Sequence, residues 1–211
     1  LPDNSLHLGV TSVPFPGMYV YSNSAFDMGN VTSILQMVDQ FRFLVREAFR
    51  CLIPGRSFFI HLTQGVAQKQ RDGYMGLRDF SGPMIAMMQA EGFNYYGEFT
   101  IDKDPQLKAM RTKDHGLMFK SLVTDSARMH CALADKVLQF QKPGDNPLPI
   151  EAGKSRKYVD SNGWVTSDEW ILWARPVWYA ADYQPGTWRE GYTGDACLHG
   201  IRETDVLNVR Q

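Results

Sequence analysis

The stretch LGVTSVPFPGMYVYS, Leu8 to Ser22, decides how this chain is read. It begins as an apolar run and stops at Ser12-Val13-Pro14-Phe15. It then opens into a loop carrying Gly17, Tyr19 and Tyr21. The part from 6 to 12, LHLGVTS, has the character of a short buried strand. Proline cannot donate to a strand ladder, so Pro14 reads in one way as a plain stop. In the other reading, the strand delivers a hydroxyl and an aromatic ring to a site.

The neighbouring segments place that stop in a fold. Residues 13–30 form a long loop rich in Ser, Asn, Gly and Tyr. Thr32 or Ser33 can cap a helix that runs to about Leu52. Its apolar residues Ile34, Val38, Phe41, Val45, Phe49 and Leu52 recur at helical spacing, and Pro54-Gly55 ends it. SFFIHLT (57–63) is a nearly continuous apolar run that suits a strand covered on both faces. A polar loop comes next, then a helix at 82–92, GPMIAMMQAEG, closed by Gly92. FNYYGEFTI (93–101) is a third strand. The alternation predicts a parallel α/β sheet. In open α/β sheets, ligands bind at the carboxyl ends of strands. The Ser12–Phe15 stop lies at such an end.

The totals agree with one folded domain plus a smaller region. Of 211 residues, 44% are hydrophobic and 21% charged, enough for a packed core. A net charge of -1 gives no global attraction to nucleic acid, although a local basic face is compatible with it. Cys51, Cys131 and Cys197 are far apart and odd in number, which argues against a zinc site or a disulfide framework. No apolar run approaches the roughly 18–20 residues of a membrane span. ALADKVLQFQKPG (132–144) reads as a last strand, Val137 to Gln141, and KPGDNP as a boundary. This divides the chain into a larger α/β part at 1–144 and an appended region at 145–211. All five tryptophans lie in the latter: Trp164, Trp170, Trp173, Trp178 and Trp188. Thr166 and Glu169 have capping-box spacing before a short helix with Trp170, Trp173 and Val177 on one face. That face suits packing more readily than base stacking. Residues 180–199 read as a loop or insertion.

Familiar chemical motifs are missing: there is no G-x-G-x-x-G, Walker loop or H-E-x-x-H. His61, in an apolar strand, reads as a satisfied core histidine before a ligand or base. Asp102 and Asp104 could form an acid/base pair but read more simply as turn residues.

At Ser12-Val13-Pro14-Phe15 the chain resembles the DNA amino-methyltransferases, whose signature is D/N/S-P-P-Y/F/W at the end of a strand. The surroundings extend the resemblance. DNSLHLGVTSVPFPGMYVYSNSAFDMGN is similar to the opening of the phage and prophage members. FRFLVREAFRCLIPGR, IDKDPQLKAMRTKDHGLMFK and QFQKPGDNP resemble further segments in the same order, and the likeness resumes at SDEWILWARPVWY and GIRETDVLNVR.

The resemblance implies a Rossmann-like methyltransferase sheet with a Trp-rich target-recognition region. It implies methyl transfer from S-adenosylmethionine to N6 of adenine or N4 of cytosine in DNA. Ser12 and the Val13 carbonyl would accept hydrogen bonds from the amino group, Pro14 would fix the backbone, and Phe15 would stack on a base flipped from the duplex. Tyr19 and Tyr21 would line the pocket, and Arg111, Lys113 and Lys120 would contact phosphate. Each of these five has an equally plain reading as loop packing or a solvated face. Val13 stands where the family has its first proline. The family's F-x-G-x-G cofactor strand is expected beyond Gln211, so the chain reads as a fragment that binds S-adenosylmethionine poorly. The resemblance also implies a cytoplasmic protein of a bacterial or phage-infected cell, without membrane contact. A homodimer or a restriction partner is left open. A catalytically inactive DNA-binding or partner-binding module is the second reading.

Overall fold

The computed structural model describes residues 1–16, 22–24, 26–112, 116, 123, 129–149, 171 and 173–178. In chain order the elements are β1 (Gly9–Ser12), α1 (Ile34–Cys51), β2 (Ser57–Thr63), β3 (Gly65–Ala67), α2 (Lys69–Asp72), β4 (Gly76–Arg78), α3 (Ser81–Ala90), β5 (Asn94–Ile101), α4 (Pro105–Thr112), β6 (Asp135–Gln141) and β7 (Val177–Trp178). A single 3-10 turn, Met28–Asn30, precedes α1 and is capped by the Asp27 carboxylate.

Helix α1 follows its sequence closely. The Ser33 hydroxyl accepts from the Gln36 N–H and caps the start. Met37, Val38, Phe41 and Val45 are buried along one stripe. The helix ends where Pro54 cannot continue it and Gly55 turns at φ +75°. A Cβ at Gly55 would come within 2.9 Å of the Asn146 nitrogen, so the turn is also a close approach. Lys142 secures this end. Its Nζ donates to the carbonyls of Phe49 at 2.6 Å and Leu52 at 2.8 Å, and it lies over the Phe49 ring. A cation on the last carbonyls complements the helix dipole.

Five strands form the main sheet in the order β1-β2-β6-β5-β7. β1 runs parallel to β2, with Ser12 opposite His61. β6 runs antiparallel to both neighbours, pairing Asp135 with Thr63 on one side and Ile101 on the other. The expected all-parallel sheet is therefore corrected to a mixed one. The first three predicted strands do point the same way. The fourth enters from the carboxyl end of β5, through α4, and so must run back.

The core lies between this sheet and the pair α1 and α3. Val13, Met37, Phe41, Ile60, Leu62, Met84, Met88, Leu138 and Phe140 form one buried cluster. Arg42 and Arg46 of α1 both hold Glu91, just after α3, at 2.9 and 2.8 Å.

Two loops contain structure that the sequence pattern does not reveal. The 64–81 loop folds into the β3–β4 hairpin with α2 at its tip. The 102–130 segment starts with α4. Val177 belongs to strand β7 rather than to the tryptophan helix, and β7 adds to the β5 edge. Trp178 stacks on Phe99 with ring centroids 4.7 Å apart, so this tryptophan covers the sheet. Thr166, Glu169 and Trp170 lie outside the described residues.

Candidate active site at the carboxyl edge of the sheet

Strand β1 delivers Ser12 to the carboxyl edge, and β2 delivers His61 beside it. The Ser12 hydroxyl lies 3.1 Å from His61 Nδ1. On the other side of the ring, Nε2 lies 3.2 Å from an Asp135 carboxylate oxygen. Asp135 reaches this edge because it is the first residue of the antiparallel strand β6. Lys103 stands 3.4 Å from the same carboxylate, and Lys108 of α4 hydrogen-bonds it directly. These groups thus form a chain from the sheet interior to Ser12.

Burial and charge oppose each other at Asp135. Burial pushes its carboxyl upward. The His61 hydrogen bond and the positive charges of Lys108 and Lys103 overcome this, and the group is held well below the usual carboxylate range. An ionised Asp135 can only accept. His61 therefore donates its Nε2–H there, and in the neutral ring Nδ1 is left to accept the Ser12 O–H. Both lone pairs of Ser12 Oγ are then directed away from the histidine.

Val13 and Phe15 complete the edge. The Val13 side chain is buried in the core, and its N–H donates to the His61 carbonyl at 3.2 Å, extending the β1–β2 pairing by one residue. A proline here would lose that donor. Pro14 and Phe15 are partly buried. The Phe15 ring meets His61 edge-on, centroids 6.0 Å apart, and packs against the main core.

Ser12, Val13, Pro14 and Phe15 are thus brought together. Tyr19, Tyr21, Lys113 and Lys120 lie outside the described residues, and of Arg111 only the backbone, in α4, is described. His61 is a buried, satisfied histidine as expected, but one of its partners is the signature serine. Asp102 and Asp104 are the carboxylates that stand out in the sequence, whereas the one at the site is Asp135. The Asp102 N–H donates to the Trp178 carbonyl, and the carbonyl of Asp104, just before α4, accepts from the Lys108 N–H. A carboxylate at the head of the strand DKVLQFQ is the signal that could have found Asp135.

A Cβ at Gly9 would run into the Phe58 ring, and one at Gly65 would meet Arg78. The described residues build one side of a site, where a hydroxyl and a ring converge.

No family model matches the chain, and no curated protein matches it. Solved structures do. The candidate DNA modification methylase TTHA0409 from Thermus thermophilus, complexed with S-adenosyl-L-methionine, aligns with a TM-score of 0.58 at 17% identity over 84% of this chain and 60% of that one. A second structure of that methylase gives 0.57 at 18% identity over 84% and 61%. The cytosine-N4-specific PvuII DNA methyltransferase aligns at 0.45 and 19% identity over 74% and 54%, too low to carry an argument. This chain spans about 60% of the length of the Thermus methylase. The likeness establishes the fold: a mixed α/β sheet of the methyltransferase type.

Asp135→Asn removes the carboxylate shared by His61, Lys103 and Lys108. It is expected to destabilise the fold by about 3–5 kcal/mol in urea unfolding at neutral pH. A depressed carboxyl contributes fully above its unfolded pKa of about 3.9 and loses that contribution as pH falls through the lower folded value. The stability gap between wild type and variant should stay level from about pH 8 to 5 and narrow only below about 4. A gap that closes between about pH 7 and 5 would contradict an ionised Asp135.

Proposed function

We propose that this chain carries the base-accepting side of an S-adenosylmethionine-dependent DNA amino-methyltransferase, acting on N6 of adenine or N4 of cytosine. The observation that supports this most is the Ser12 hydroxyl, held by His61 at the carboxyl end of β1 with Phe15 beside it. The methyltransferase-type sheet supports it independently, since the signature serine falls at the strand end where such sheets bind ligands.

An exocyclic amino group is a poor nucleophile because its lone pair is delocalised into the ring. Ser12 Oγ, its own proton engaged by His61, can accept one amino N–H. The Val13 carbonyl is the second acceptor in this reading. Two acceptors draw the nitrogen toward tetrahedral geometry and free its lone pair, so positioning supplies much of the rate. Phe15 would hold the flipped base by its face while its edge rests on His61. Methylation leaves the amino nitrogen with a proton to lose. The Ser12–His61 hydrogen bond gives that proton a route to Nδ1, where Asp135 would stabilise the resulting imidazolium.

S-adenosylmethionine is the methyl donor in this reading, as the ligand bound by the similar Thermus methylase supports. In keeping with a target-recognition role, residues 145–211 would contact DNA in the same proposal, and the protein would belong to a phage or restriction-modification setting. The alternative, an inactive methyltransferase-like module, would bind DNA or a partner without using Ser12.

Two measurements test this. Single-stranded oligodeoxynucleotides of adenine, cytosine, thymine and purine deoxyriboside, which lacks the 6-amino group, can be titrated by fluorescence anisotropy. The adenine or the cytosine strand should bind more tightly than the thymine and purine strands. Ser12→Ala should reduce that preference by about 3- to 10-fold. Equal binding of all four strands, unchanged by Ser12→Ala, would favour the inactive module. In calorimetry of the 211-residue chain with S-adenosylmethionine alone, the expected outcome is no micromolar binding, and a micromolar Kd would place a cofactor site within these residues.

A further inference from the structure

Beside the signature turn lies a recess that the proposed chemistry does not use. It is walled by Phe15 and Pro16, by Gln68, Arg71 and Arg78 of the β3–β4 hairpin, and by Thr112 at the end of α4. Its cavity volume is about 50 Å³. One water needs about 10–15 Å³. The recess therefore has room for several waters, and so for a group the size of a phosphate. Phe15 is common to this recess and to the Ser12–His61 edge, so an occupant here would sit one ring away from a base held at Ser12.

Arg78 is the feature that points to an anion. Its Nη1 donates to the Thr32 carbonyl at 2.9 Å and its Nη2 to the Pro16 carbonyl at 3.4 Å. Its Nε is buried without a hydrogen-bond partner. Among the described residues no carboxylate lies within ion-pair distance of it. Its hydrogen-bond acceptors among the described residues are thus neutral; burial holds its pKa below the ordinary value and the like charge of Arg71 adds to this, with Asp72 opposing at longer range. Arg71, in contrast, is paired with Asp72 at 2.8 Å. Among the described residues, Arg71, Arg78 and Asp72 together leave one net positive charge in the recess. The backbone is fitted to it: Gly65 faces Arg78 across the hairpin, and a Cβ there would come within 3.1 Å of Arg78 Nε.

We propose that this recess is a phosphate site centred on Arg78. On the amino-methyltransferase reading, from which the source of the phosphate is taken, it receives the backbone phosphodiester next to the flipped nucleotide. Arginine suits this task because its planar fork matches phosphate oxygens. A phosphate fixed here while the base rests on Phe15 would set how far the nucleotide rotates out of the duplex. The site carries no sequence information, since phosphate contacts position and base contacts specify.

The test has two arms, both on the full 211-residue chain. In the first, inorganic phosphate is titrated while the side-chain 15N resonance of Arg78 Nε is followed, with Arg46 as an internal comparison. A saturable shift at Arg78 and not at Arg46 is expected. In the second, duplex DNA binding is measured against salt for wild type, Arg78→Gln and Arg46→Gln, with thermal unfolding to check that each is folded. Arg78→Gln should weaken binding about tenfold for every sequence tried and lower the slope of log K against log salt by about 1, while Arg46→Gln changes neither. Arg71→Gln, which removes a charge already paired, gives a second variant should Arg78→Gln not fold. It should lower the slope by less than about 1.

A phosphate shift with an unchanged DNA slope would keep the anion site and overturn DNA as its source. An unchanged slope with no phosphate shift overturns the proposal altogether. Loss of base preference without loss of the Arg78 effect would count against the amino-group reading alone.

Discussion

Asp135 is a carboxylate buried where three strands meet, and it stays charged because His61, Lys103 and Lys108 surround it. The rest of the site depends on that arrangement. An isolated charge in this position would cost several kcal/mol or neutralise itself. Surrounded, it becomes a fixed acceptor that dictates which nitrogen of His61 carries the proton. That in turn dictates where the Ser12 hydroxyl points. The antiparallel insertion of β6 is what makes this possible. Had β6 run parallel to its neighbours, Asp135 would open the strand at the opposite edge of the sheet, a strand length of roughly 20 Å from Ser12.

The same topology joins the neighbouring elements to the site. Helix α4 brings Lys108 to Asp135 and ends at Thr112, on the wall of the Arg78 recess. The β3–β4 hairpin grows directly from the end of β2, the strand that carries His61. Gln64, at that junction, accepts the Phe80 N–H at 2.6 Å and donates to Ser81, fixing the start of α3. Serine, histidine and guanidinium are thus held from strands, and the phenyl ring sits three residues past the end of β1, packed against His61. That is the condition for a site that works by positioning.

Much of the framework is legible in the sequence because it is periodic. The stripe of Met37, Val38, Phe41 and Val45 and the unbroken run of β2 leave little freedom in reading α1 and the sheet centre. The elements that escape such a reading are those too short to show a period. β3 and β4 have three residues each, and α2 has four. Strand direction is also hidden, because alternating elements look alike whether the last strand runs forward or back. At the site, Ser12 and Phe15 are visible as a strand stop. Asp135 is not, since its partner His61 lies 74 positions away and only the register of β2 and β6 brings them together.

Asp135 is held to set the tautomer of His61 and thereby to leave the Ser12 lone pairs for a substrate N–H. The most direct measurement is 15N NMR of the imidazole of His61 in the folded chain. The expected result, in the neutral form of the ring, is a proton on Nε2, slowly exchanging and coupled to Asp135, with Nδ1 showing the signature of a hydrogen-bond acceptor. A proton on Nδ1 in the neutral ring would contradict it, because His61 would then donate to Ser12 and the hydroxyl would no longer be set up as described.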